Sequence, residues 1–169
     1  MKPKEFVALT ASIIFGIAIV FLLQYPLLSD DLTLSSLTSE IDGIEFWKNV
    51  VLQPLLLSIT IVSLLFIALW VGIATTKTFT RSRDAYAMRA TWFILAIVLF
   101  IIYEVLLLVF GYTPLLSEGS LPLQLNWLIQ PLLFLDLILL FWLPTALATP
   151  RALRYVPPLS MKIRSLIGG

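Results

Sequence analysis

Two carboxylic acids, Glu104 and Asp136, stand inside long apolar runs of this 169-residue chain. A carboxylate at such a position costs a few kcal/mol on membrane-insertion scales, which makes each acid a functional candidate. No Lys or Arg lies within any of the apolar runs to neutralise them. An acid so placed has three uses. It keeps its proton and bonds a neighbouring helix, it receives a basic or hydrogen-bonding group from a partner subunit, or it loads and releases a proton along a path. Contact with a ligand or pigment is a weaker fourth use.

The rest of the catalytic repertoire is absent. The chain has no cysteine and no histidine, which excludes disulfides, thiolate nucleophiles, Cys/His zinc sites, His-ligated haem and imidazole acid–base chemistry. The sequence contains no phosphate-binding glycine loop, no dinucleotide fingerprint, no zinc-protease motif and no serine-hydrolase elbow. Basic residues are not interleaved with aromatics on any polar module, so no nucleic-acid partner is expected. No metal, cofactor or enzymatic activity is expected either.

The elements that hold the two acids follow from composition. Apolar residues make up 60% of the chain and charged residues 12%, and the mean hydropathy is +1.01. A soluble domain sits near 45–50% apolar and about 25% charged. Four runs, 6–28, 50–74, 90–110 and 126–147, reach the roughly 20 residues that a spanning helix needs. Lipid leaves unpaired backbone groups unsatisfied, and the runs lack the alternation of a membrane barrel, so strands are excluded. The prediction is an all-α, polytopic integral membrane protein with four transmembrane helices in one domain, residues 1–169. Glu104 then lies about 6 Å beyond the middle of the third span and Asp136 near the middle of the fourth. An antiparallel pairing of these two spans would allow the acids to face one another at similar depth, or each to meet a partner from elsewhere.

Charge placement gives an orientation. Ten of the eleven Lys and Arg residues fall in three places: Lys2 and Lys4; Lys77, Arg81, Arg83 and Arg89; and Arg151, Arg154, Lys162 and Arg164. Only Lys48 lies on the other side, together with Asp30, Asp31, Glu40, Asp42, Glu45 and Glu118. The positive-inside rule puts both termini and the middle loop in the cytoplasm or its equivalent. The first span is expected to stay uncleaved, because it exceeds a signal-peptide core and no small-residue cleavage site follows. A bacterial cytoplasmic or thylakoid-type membrane suits this pattern.

Weaker signals lie around this frame. Tyr25-Pro26-Leu27-Leu28-Ser29-Asp30 resembles Tyr112-Thr113-Pro114-Leu115-Leu116-Ser117-Glu118, and Gln53-Pro54-Leu55-Leu56 resembles Gln130-Pro131-Leu132-Leu133. The order is the same in both halves, which suggests two parallel helical-hairpin repeats about an axis along the membrane normal. Proline's preference for first helical turns and the abundance of leucine give the same pattern without duplication. Ala8, Ser12 and Gly16 form a small-residue face for close helix packing, and Ala68 with Gly72 forms a shorter one. Lys77, Arg81, Arg83 and Arg89 suit contact with anionic lipid headgroups or a soluble partner. Residues 148–169 form a cytoplasmic-side tail, whose end is mildly amphipathic.

The function this combination predicts is non-catalytic. The chain reads as a small accessory subunit or assembly factor of a larger membrane complex, with other integral membrane subunits as partners. The alternative is a small oligomeric, proton-coupled transporter that uses Glu104 and Asp136.

Overall fold

The computed structural model describes residues 3–30, 46–76, 82–113, 123–149 and 156–166. They are helical throughout apart from short turns, and contain no strand. Four long helices, α1 (3–29), α2 (47–76), α3 (82–112) and α4 (123–148), precede a short helix, α5 (Ser160–Leu166). All four long helices are long and apolar enough to cross a membrane, over Phe6–Ser29, Lys48–Thr76, Ala87–Tyr112 and Ile129–Ala148. These windows overlap all four expected spans. The loop bearing Lys77 and Arg81 lies outside the described residues, Arg83 enters α3, and Arg89 is exposed on that helix.

The helices pack antiparallel. The first half of α1 lies against the end of α4, the end of α1 meets the start of α2, and the start of α2 meets the end of α3. Helices α2 and α4 each touch all three others, so polar residues on them can join the bundle. The core is filled by Trp70, Tyr103, Phe141, Leu52, Ile59, Leu99 and Leu107, each less than 2% exposed. The outward faces are apolar as well: Leu22 is 77% exposed, Leu65 63% and Ile94 59%. Soluble monomers rarely leave continuous apolar surface of this extent in water, whereas a membrane covers it without cost.

Each long helix also contains one wide π turn, and proline explains where it falls. The turns span Val20–Gln24, Trp47–Leu52, Leu107–Tyr112 and Ile138–Trp142. A proline follows two residues after each: Pro26, Pro54, Pro114 and Pro144. A helical proline has no N–H to offer the carbonyl four residues back, and its ring collides with that carbonyl. That carbonyl belongs to Leu22, Val50 or Leu140, each inside the corresponding π turn, while Pro114 lies outside the described residues. Widening the turn moves it aside, and the residue before the proline bonds five residues back instead: Tyr25 to Val20, Gln53 to Lys48, Thr113 to Leu108, Leu143 to Ile138. Pro54 and Pro131 therefore do not open their helices, as first-turn prolines would. Pro54 follows a complete turn, and Pro131 lies in the interior of α4 without a π turn.

Candidate functional site

The polar side chains of the spans meet in two layers. In the first, one residue comes from each long helix: Gln24 from α1, Ser63 from α2, Tyr103 from α3 and Asp136 from α4. All four are buried. Gln24 Nε2 donates to Asp136 Oδ1 at 2.8 Å. The Ser63 hydroxyl donates to the Ile59 carbonyl, as a helical serine commonly does. Its oxygen is then the acceptor for the Tyr103 hydroxyl, which closes the contact between α2 and α3. Asp136 lies within electrostatic range of that phenol. Two acceptors of the layer, Gln24 Oε1 and Asp136 Oδ2, have no partner among the described residues.

Glu104 belongs elsewhere. Its Oε2 accepts from Gln130 Nε2 at 2.9 Å in a partly buried contact between α3 and α4. Gln130 and Asp136 are six residues apart on α4, or about 9 Å along the axis. The two acids thus bond different partners and not each other. Each acid is held by a glutamine from another helix. The reason is geometric: Tyr103 takes the inward position on α3, and its neighbour Glu104 is turned a third of the way round the helix toward α4.

Glutamine is what the sequence reading overlooked. Gln24 and Gln130 are amide side chains of the apolar helices, and each holds one of the acids. An amide in hydrocarbon needs a partner as much as an acid does, and that need is a usable signal.

The second layer gathers three tryptophans at the end of the bundle that holds the close of α4. Trp70 Nε1 donates to Thr149 Oγ1 at 3.0 Å, and Trp92 Nε1 to Thr145 Oγ1 at 3.1 Å. Both threonine hydroxyls donate to carbonyls of their own helix, Thr145 to Trp142 and Thr149 to Thr145, which leaves their oxygens free to accept. The third indole, Trp142, donates to the Pro158 carbonyl at 3.0 Å and ties the tail back to the bundle. The Trp92 ring stacks on Phe141, with centroids 5.6 Å apart.

Of the small-residue face on α1, Gly16 makes the closest approach. A Cβ there would stand 2.9 Å from Leu140 Cδ2 and 3.0 Å from the Leu139 carbonyl oxygen. Ser12 is buried and donates to the Leu9 carbonyl at 2.7 Å, and Ala8 is half-buried. On α2, in contrast, Ala68 and Gly72 point outward, and a Cβ at Gly72 would meet nothing within 4 Å. The shorter small-residue face is therefore not a helix contact within the bundle. No group of three or more acids, histidines or cysteines that could hold a metal occurs among the described residues. No protein-family model matches the chain, and no curated protein or solved structure matches it either.

Proposed function

We propose that the chain is a non-catalytic accessory subunit or assembly factor of a larger membrane complex. The observation that carries this reading is the use of its polar groups. Gln24, Asp136, Glu104, Gln130, Tyr103, Ser63 and the three indoles all bond across helices or to the tail. Side chains engaged in this way build a rigid bundle. The partner surface is then the apolar exterior, where α1 and α3 present Phe15, Leu22, Phe93, Ile97 and Ile101 outward. Other integral membrane subunits pack against such a surface.

The orientation is part of the same reading. Both termini and the loop with Lys77, Arg81, Arg83 and Arg89 lie on the cytoplasmic side of a bacterial cytoplasmic or thylakoid-type membrane, in contact with anionic lipid. The hairpin repeat gains and loses support from the π turns. Those before Tyr25-Pro26 and Thr113-Pro114 occupy matching places in α1 and α3, whereas Gln53-Pro54 follows a π turn and Gln130-Pro131 does not.

The alternative, a proton-coupled transporter, draws on a different observation: Asp136 Oδ2 is buried without a partner. The amide variants Glu104→Gln and Asp136→Asn separate the two readings. They keep hydrogen-bonding capacity at nearly the same volume but cannot carry a proton. Normal assembly and normal function of both variants support the subunit. Normal assembly with loss of a pH-dependent flux overturns it in favour of the transporter.

A further inference from the structure

Two oxygens in the core lack a donor, and they belong to one contact. Gln24 is 2% exposed and Asp136 1%. With Gln24 Nε2 on Asp136 Oδ1 at 2.8 Å, the remaining arms of the same amide and the same carboxyl are Oε1 and Oδ2, and neither has a partner among the described residues. Unpaired polar groups are costly in hydrocarbon, and an unpaired charge is more so.

A proton on Oδ2 answers both needs. It removes the charge and turns an acceptor into a donor beside an amide oxygen that lacks one. The acid and the amide then share two bonds, Nε2–H to Oδ1 and Oδ2–H to Oε1. We propose that Gln24 and Asp136 form a proton-binding site that locks α1 to α4. The site stands whether the chain serves as a subunit or as a carrier.

Among the described residues, no basic side chain bonds the carboxyl. Its bonded neighbour is Gln24 of α1, and the nearby Tyr103 of α3 has its hydroxyl engaged with Ser63 of α2. Glu104, the other acid of the spans, is engaged with Gln130. The sequence places no Lys or Arg between Lys4 and Lys48, between Lys48 and Lys77, or between Arg89 and Arg151. The seam is also tight, since Gly16 of α1 packs against Leu139 and Leu140 just beyond Asp136.

The sign of the pH effect follows. A group that holds its proton in the folded state contributes stability at low pH, and this is lost as pH rises through its folded titration. The test is infrared spectroscopy of the full chain in nanodiscs of neutral lipid, from mildly acidic to mildly alkaline buffer, below the range in which tyrosine ionises. The expected result is a protonated-carboxyl stretching band at neutral pH that persists in Glu104→Gln, shifts in Gln24→Leu and is missing from Asp136→Asn. Thermal unfolding of the wild type should weaken as pH rises, whereas Asp136→Asn should not respond, because its amide N–H replaces the acid O–H. Should Asp136→Asn fail to fold, Glu104→Gln still carries the test, with Asp136 as the remaining acid within the spans. Absence of the band in Glu104→Gln overturns the site. So does loss of the band on adding sodium chloride at constant pH, which would assign the two oxygens to a metal cation.

Discussion

The Trp70 indole reaches the Thr149 hydroxyl at 3.0 Å, joining α2 to the residue just past the end of α4. Thr149 is fully buried, and its own proton goes to the Thr145 carbonyl. Thr149→Val keeps the shape but leaves the indole N–H unsatisfied, at a cost of about 1–3 kcal/mol. Thr145→Val should do the same to Trp92. Unfolding in mixed micelles reads both losses. A Trp142→Phe variant should cost less, because its bond to Pro158 is only partly buried, but it should expose residues 156–166 to protease.

Gly16 and Gly72 make a matched pair for testing the packing. Gly16→Ala drives a Cβ into Leu140 and the Leu139 carbonyl; the side chain can yield but the backbone cannot, so a loss of about 1–3 kcal/mol is expected. Gly72→Ala meets nothing and should gain up to about 1 kcal/mol from helix propensity. Equal effects at the two positions in the same unfolding assay would contradict the α1–α4 seam.

Removing the acids outright should be worse than neutralising them. Asp136→Leu strands the Gln24 amide in the core, and Glu104→Leu strands Gln130 in a partly buried place. Losses of about 0.6–2 kcal/mol are expected, larger at Asp136, while the corresponding amides stay close to wild type. Double-mutant cycles with Gln24→Leu and Gln130→Leu measure the two couplings separately.

The membrane helices were legible because each is an apolar run of spanning length, which burial and lipid both demand. The acids were legible as candidates for the same reason, since Glu104 and Asp136 interrupt such runs. Their partners were not, because attention to charge passes over Gln24 and Gln130, and because contact between α1 and α4 depends on tertiary packing. Pro26 and Pro54 were visible only as members of the repeated motifs. Their actual effect, a π turn two residues earlier, follows from the collision with the carbonyl four residues back and needs an uninterrupted helix to appear. Trp70 and Trp142 each spend their N–H on a specific oxygen, a pairing that only the packed helices reveal.

Orientation is tested by labelling. The chain has no cysteine, so a single cysteine at Ser36 should react with an impermeant reagent from outside intact cells, while one at Thr78 in the basic loop should not. The reverse pattern would invert the assignment.

The central claim, that this chain serves a larger membrane complex, is tested most directly by native electrophoresis in mild detergent with mass spectrometry of what migrates with it. The account predicts a band far larger than 19.0 kDa that contains other integral membrane proteins in fixed ratio. That band should be kept in Asp136→Asn and Glu104→Gln. A homodimer or homotetramer of this chain alone would contradict the claim.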